Sequence, residues 1–118
     1  MGQAVVMHAY VKDVLLRSRV DGLARAAGIE PRFFATPAEL LGANRCDLAV
    51  IDLSDRAGEG MDLLGRLQGT KVLAFYAHTD DATRKRALEL GARRVVPRST
   101  LMKRFEELVK ETLSGIET

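Results

Sequence analysis

The chain has 118 residues, of which 47% are hydrophobic and 29% charged, with a net charge of +2 and one cysteine. This length is enough for one domain whose core needs neither a disulfide nor a structural metal. The lone Cys46 excludes an internal disulfide, and the small net charge does not indicate a nucleic-acid binder. The chain shows no leader pattern and no apolar run near the roughly 20 residues of a membrane span, so we expect a cytoplasmic protein.

Short apolar runs alternate with helical patterns from the start of the chain. The run at 4–8 predicts a first strand, and apolar residues at a helical period predict a helix over 12–27 that ends at Gly28. Residues 29–35 predict a second strand, which Pro31 places near a sheet edge. The chain therefore begins with a strand, a helix and a second strand.

The middle of the chain contains a helix start and the most apolar strand. Residues 36–39, Thr-Pro-Ala-Glu, have the pattern of a capping box, which predicts a helix from here to about Asn44. The run at 47–53 is apolar between two carboxylates and shows no polar alternation, which is typical of a strand buried on both faces. Asp52 would then stand at the C-terminal end of that strand.

The second half continues the alternation and determines the predicted topology. The remaining predicted elements are a short helix with Met61, Leu64 and Leu67 inward, a strand over 71–77, a helix from Thr79 or Asp80 to Leu90, a strand over 94–97, and a last helix capped by Ser99 or Thr100. Five strand-helix units predict one doubly wound, flavodoxin-like (βα)5 domain over residues 1–118, with a parallel sheet in the order 2-1-3-4-5. Ligands collect at the switch point of such sheets, here around His8 and Asp52.

Four segments in this order resemble the receiver domain of bacterial two-component response regulators. Residues 47–53 look like the receiver's third strand, with Asp52 at the position of the phosphoryl-accepting aspartate. Residues 72–78 and 87–92 are similar to its fourth strand and helix, and residues 93–99 fall where receivers carry the last strand and a lysine that contacts the phosphoryl group. The resemblance implies the same fold and a role in signal transduction.

The chain departs from the receiver pattern at the positions that carry chemistry. Receivers hold magnesium with a pair of carboxylates after the first strand, whereas the only carboxylate in that segment here is Asp13. Tyr76 stands where receivers have a small hydroxyl residue, and Arg98 stands at the lysine position. With His8, these residues form the predicted pocket around Asp52. The resemblance thus implies a stand-alone pseudo-receiver that is not an enzyme, signals through protein contact without efficient phosphotransfer, and needs no cofactor.

Several alternatives remain open for the predicted site. Asp52 could be a carboxylate kept by the fold, hydrogen-bonded to neighbouring backbone or paired with Arg98. A second reading is a single-domain response regulator phosphorylated at Asp52, which would require magnesium. A third is a small metal-dependent enzyme using His8, Asp52 and His78. Cys46 precedes the central strand, at the wrong end of the sheet for a nucleophile, and no flavin-phosphate loop follows the first strand.

A basic region follows the fourth strand. Residues 79–104 contain eight basic and three acidic residues, an excess of five positive charges. Such a run is either a solvated face or a docking surface for a protein partner, including a second copy of the chain through helix 4, strand 5 and helix 5. No interleaved aromatic residues favour nucleic acid, and we expect no membrane partner. The candidate contact residues are Arg84, Lys85, Arg94, Lys103 and Arg104.

Overall fold

Strands and helices alternate along the computed structural model, which describes residues 5–55, 57–77 and 81–115. In chain order the elements are β1 (Val5–Tyr10), α1 (Val14–Ala26), β2 (Ile29–Phe33), α2 (Pro37–Leu41), β3 (Leu48–Asp52), α3 (Glu59–Gly65), β4 (Val72–Tyr76), α4 (Asp81–Glu89), β5 (Arg94–Pro97), α5 (Arg98–Lys103) and α6 (Phe105–Ser114). None of the helices in these ranges is long and apolar enough to cross a membrane.

The five strands form one parallel sheet in the order β2-β1-β3-β4-β5, which confirms the predicted topology. Tyr10 lies opposite Ile51, and Asp52 lies opposite Phe75. The ends of β1, β3 and β4 therefore meet at one edge of the sheet. This edge is the predicted location of the site.

The sheet separates two hydrophobic clusters because successive side chains of a strand point to opposite faces. One cluster joins Leu48 and Val50 to the inward sides of α1, α5 and α6. The other joins Ala49 and Ile51 to α2, α3 and α4. All five residues of β3 are buried, as its unbroken apolar sequence predicted.

The N-terminal boundaries differ from the prediction in a way that matters for the site. β1 continues through Tyr10 and does not end at His8, because its pairing with β3 extends to Ile51. Helix α1 begins at Val14, and Asp13 is its N-cap instead of a first-turn residue. The predicted N-cap of α2 is confirmed, since Thr36 Oγ1 accepts a hydrogen bond from the backbone N–H of Glu39 and donates one to Glu39 Oε1.

The C-terminal helix was predicted as one element and is two. Pro97 is extended, and α5 starts at the next residue, so Ser99 and Thr100 lie inside the helix and do not cap it. The break falls at Arg104, whose φ of −125° and ψ of 30° interrupt the helix before α6. The second strand and second helix end two to three residues earlier than predicted, and the fourth helix ends one residue earlier. The predicted caps of the fourth helix, Thr79 and Asp80, lie outside the described residues.

Candidate functional site

Asp52 ends β3 at the C-terminal edge of the sheet and is only 4% exposed. Its Oδ1 accepts hydrogen bonds from the backbone N–H of Ser54, at 2.9 Å, and from the Ser54 hydroxyl. Aspartate side chains commonly bond the backbone two residues ahead in this way. The sequence left two structural roles open for this carboxylate, a hydrogen bond to neighbouring backbone or an ion pair with Arg98. The structure shows the hydrogen bond to backbone.

The alternative ion pair between Asp52 and Arg98 is not formed. Arg98 is the first residue of α5 and lines a cleft of about 570 Å³ between α1 and α5, together with Asp13 and Met102. Among the described residues, it makes no ion pair with a carboxylate. Because α5 starts directly after Pro97, Arg98 belongs to this helix and lines the cleft that faces α1.

Asp13 is the N-cap of α1. Its Oδ1 accepts the backbone N–H of Leu16 at 3.0 Å, so the carboxylate caps the first turn of α1. Aspartate is among the preferred residues for this role. Within residues 5–55, 57–77 and 81–115, no three side chains of the types His, Cys, Asp or Glu are grouped as a metal site.

A hydrogen-bonded cluster occupies the same edge beside Asp52. The hydroxyl of Tyr10, at the end of β1, donates to Glu59 Oε1 over 3.2 Å. Lys12 Nζ lies 3.5 Å from the same oxygen, with both side chains of this ion pair about half exposed. Sequence reasoning missed Tyr10 because it ended the first strand two residues early, although the apolar run continues through Ala9, Tyr10 and Val11.

Asp55 and Gly60 attach the start of α3 to this edge. The two carboxylate oxygens of Asp55 accept the backbone N–H groups of Glu59 at 2.9 Å and Gly60 at 3.1 Å. Gly60 is buried, and a β-carbon there would overlap the carbonyl oxygen of Asp52. The start of α3 therefore approaches the end of β3 so closely that only glycine fits at position 60.

The environment of Tyr10 keeps its hydroxyl protonated. Burial raises the pKa of Tyr10 well above its usual range, and the neighbouring carboxylates of Asp55 and Glu59 raise it further. Tyr10 is completely buried and packs in the cluster that contains Ile51. Its hydroxyl is protonated at neutral pH and donates to Glu59.

His8 does not lie in one site with Asp52. This corrects the metal-dependent alternative, which required the two side chains to be close together. It lies inside β1, is 2% exposed, and packs edge-on against Phe34 with ring centroids 4.9 Å apart. It lines a groove near Cys46, away from the sheet edge. Burial, with a smaller effect from Arg32, lowers the pKa of the imidazole. His78, the other histidine of that proposal, lies outside the described residues.

Tyr76 ends β4 and is a core residue. It is 6% exposed and belongs to the cluster on the α2, α3 and α4 side of the sheet, with Ala74 and Ala87. Ile51 packs in the same cluster as Tyr76, and Asp52 is the next residue along β3. The side chains of Asp52 and Tyr76 therefore lie on opposite faces of the sheet. Tyr76 therefore packs the core beneath α4 and does not point toward the Asp52 carboxylate.

Ion pairs neutralise part of the predicted basic surface. Arg94 is largely buried and contacts Glu111 at 3.2 Å, and Arg104 contacts both Glu107 and Glu111. The pairing with Glu107 raises the pKa of Arg104. The candidate residues that remain exposed and make no ion pair with a described carboxylate are Arg84, Lys85 and Lys103.

Comparison with solved structures identifies the architecture. A response regulator from Thermotoga maritima superposes with a TM-score of 0.81 at 17% identity, over 95% of this chain and 99% of that one. The chain has the receiver fold. A CheY-like response regulator receiver domain protein from Methanospirillum hungatei gives a TM-score of 0.83 at 20% identity, over 95% of each chain. The receiver domain of a Francisella response regulator gives 0.75 at 20% identity, over 92% of this chain and 98% of that one.

Structural comparison confirms the receiver fold that the sequence segments resembled. No family model matches the sequence, and no curated protein does either. At 20% identity or less, the superpositions show only the fold. The chemistry of the site must be inferred from the residues of this chain. Asp52 ends β3, the strand that the resemblance matched to the receiver's third strand.

Proposed function

We propose that this chain is a receiver-like signalling domain that acts through protein contact and does not accept phosphoryl groups efficiently at Asp52. The observation that carries the proposal is the hydrogen bond from Leu16 N–H to Asp13. Asp13 is the only acidic residue between β1 and α1, and this hydrogen bond makes it the cap of α1. The segment after β1 therefore offers Asp52 no pair of free carboxylates of the kind that holds magnesium in the receiver pattern.

Electrostatics explains why this loss matters. Transfer of a phosphoryl group to a carboxylate brings two anions together, and enzymes offset the repulsion with metal ions or cationic side chains. Here Lys12 is paired with Glu59, and Arg98 lies in the cleft between α1 and α5. Neither cation contacts Asp52 among the described residues. A phosphoryl group arriving at Asp52 would meet little compensating charge.

Phosphorylation can be tested directly by intact mass spectrometry. The protein is incubated with acetyl phosphate and magnesium chloride, beside an active receiver domain as positive control. We expect no added phosphoryl mass on this protein under conditions that modify the control. A phosphoryl adduct that is present in the wild type and absent from Asp52→Asn would overturn the proposal.

The second candidate function is a single-domain response regulator phosphorylated at Asp52. It is favoured by the position of the carboxylate at the sheet edge and by Oδ2, which has no hydrogen-bond partner among the described residues, while Oδ1 bonds Ser54. Magnesium would be needed only in this case. The adduct lost in Asp52→Asn would establish this function instead.

The contact surface proposed for signalling is the exposed side of α4. Arg84 and Lys85 are exposed there, and Leu88 beside them is 39% exposed. A protein partner or a second copy of the chain could bind this face. Sedimentation velocity over a range of concentrations separates the two: we expect a monomer if the partner is another protein. A dimer that Arg84→Glu dissociates would instead show self-association through α4.

A further inference from the structure

The imidazole of His8 is a buried polar group that the fold leaves without a hydrogen-bond partner. The residue is 2% exposed, and its ring packs edge-on against Phe34. Among the described residues the ring makes no hydrogen bond and no ion pair, and Arg32 on the neighbouring strand acts on it only through its charge. Most buried polar groups in proteins have a hydrogen-bond partner, so an imidazole without one needs an explanation.

The ring of His8 opens into a groove beside α2 and the end of α3. The groove measures about 230 Å³, and its lining includes His8, Cys46 and the apolar side chains of Leu40 and Leu67. Within the described part of the chain, no side-chain nitrogen or oxygen is both sealed from solvent and without a partner. Because the ring nitrogens of His8 have no partner, they must retain access to solvent, and the groove is an opening that His8 lines. The imidazole is thus presented to a small ligand in this groove.

The thiol of Cys46 lies on the same side of the sheet as the imidazole and close to it. Tyr10 packs in the cluster on the α2, α3 and α4 side, and His8, two residues earlier in β1, points to the same face. Cys46 also packs against that cluster. Burial raises the pKa of the Cys46 thiol, while the backbone N–H of His8 acts in the opposite direction, which requires the sulfur to lie beside His8. Sulfur and imidazole therefore share one groove.

The composition of the groove favours a soft, monovalent metal ion. Thiolate and imidazole are both ligands of copper, and thiolate selects its +1 state. No third side chain of the types His, Cys, Asp or Glu joins them among the described residues, which suits copper(I), since two ligands in a line satisfy it, whereas zinc takes four. Arg45 and Arg66 also line the groove. Copper(I) on a thiolate is electrically neutral, but a divalent ion would leave a positive charge beside these two guanidinium groups.

We propose that the Cys46 sulfur and a ring nitrogen of His8 bind one copper(I) ion in this groove. The thiol loses its proton to solvent as the copper–sulfur bond forms, the imidazole nitrogen supplies the second ligand, and the metal stays in the +1 state throughout. Leu40 and Leu67 provide an apolar wall that keeps water from the ion. The site is separate from the sheet edge that carries Asp52, and it goes beyond the proposed role in protein contact.

The test is a titration of the whole protein with copper(I) under argon, in competition with the chelator bicinchoninate. We expect one copper per chain. Cys46→Ser should abolish binding, and His8→Phe should weaken it by at least about 10–100-fold, the cost of losing even an outer-shell partner of a metal site. Met102→Leu is the matched control. It removes a sulfur that lines the cleft between α1 and α5, and it should leave the affinity unchanged.

Two measurements on the wild type make the test independent of whether the variants fold. X-ray absorption at the copper edge should show one sulfur and one nitrogen ligand, and the ¹⁵N resonance of one His8 ring nitrogen should move when copper binds. Equal binding by wild type and Cys46→Ser would overturn the proposal. So would copper binding without a change at His8, which marks a lone thiol with an adventitious ion only, or two sulfur ligands, which mark copper shared between two chains. Equimolar zinc that moves the His8 resonance as copper does would refute the choice of a monovalent ion.

Discussion

The hydroxyl of Tyr10 donates a 3.2 Å hydrogen bond to Glu59, and this contact joins the end of β1 to the first residue of α3. The tyrosine is fully buried while the Glu59 side chain is partly open to solvent and also meets Lys12. The edge of the sheet beside Asp52 is thus closed by a side-chain cluster of the protein itself. Stability at this edge should depend on each of its members.

Replacing Tyr10 by phenylalanine should lower the free energy of unfolding by about 1–2 kcal/mol, because a hydrogen bond to a charged acceptor is lost with little change in packing. Urea unfolding followed by circular dichroism measures the change. Lys12→Met is the control, since an exposed ion pair contributes less than about 1 kcal/mol. Equal midpoints for wild type and Tyr10→Phe would show that the hydroxyl bond contributes nothing.

Gly60→Ala should destabilise the protein by about 1–3 kcal/mol or more, since its β-carbon would overlap the carbonyl oxygen of Asp52 and α3 would have to move. Gly22→Ala is the matched control. Gly22 lies within α1 with nothing within 4 Å of an added β-carbon, and this change should stabilise by roughly 0.5–1 kcal/mol. Thermal unfolding of the two variants should shift in opposite directions; a shift in the same direction would contradict the close approach at Gly60.

Asp13→Ala should cost about 1 kcal/mol of stability, because the backbone N–H of Leu16 loses its cap. Asp13→Ser should restore most of it, since serine is also a good N-cap. Millimolar magnesium chloride should not raise the melting temperature of wild type more than that of Asp13→Ser. A magnesium-dependent increase seen only with aspartate at this position would show that Asp13 is a metal ligand.

The buried His8 should make stability fall in mild acid. Burial lowers the pKa of the folded imidazole below its ordinary 6.5, so the unfolded chain takes up a proton first as the pH decreases. More protons bound to the unfolded state means that stability rises with pH. The contribution is complete above pH 6.5 and is lost from there down to the folded pKa. Subtracting the curve of His8→Phe from the wild-type curve isolates this effect, and identical curves would refute it.

Arg98→Ala should change stability by less than about 0.5 kcal/mol, since Arg98 has no ion-pair partner among the described residues. A pairing with Asp52 would have predicted a loss of roughly 1–3 kcal/mol from an unpaired buried carboxylate. Denaturant unfolding distinguishes the two. A loss in the larger range would restore the Asp52–Arg98 pair.

The pattern of apolar residues was sufficient for the topology and for the position of Asp52. Strand and helix periods, together with local signals such as the capping box at Thr36, act over a few residues and can be read directly. The apolar run before Asp52 identified the strand at the centre of the sheet, all five residues of which are buried. Strict alternation of strand and helix then left few possible orders for the sheet.

The side-chain partners at the sheet edge required the packed molecule. Whether Asp13 turns toward Asp52 or caps α1, and whether Arg98 reaches Asp52 or α1, depends on where each helix starts. The length of β1 depends on its pairing with β3, which brought Tyr10 to the site and left His8 inside the strand. These relationships join elements far apart in the chain. They are set by the packing of helices against the sheet, which no local pattern of residues encodes.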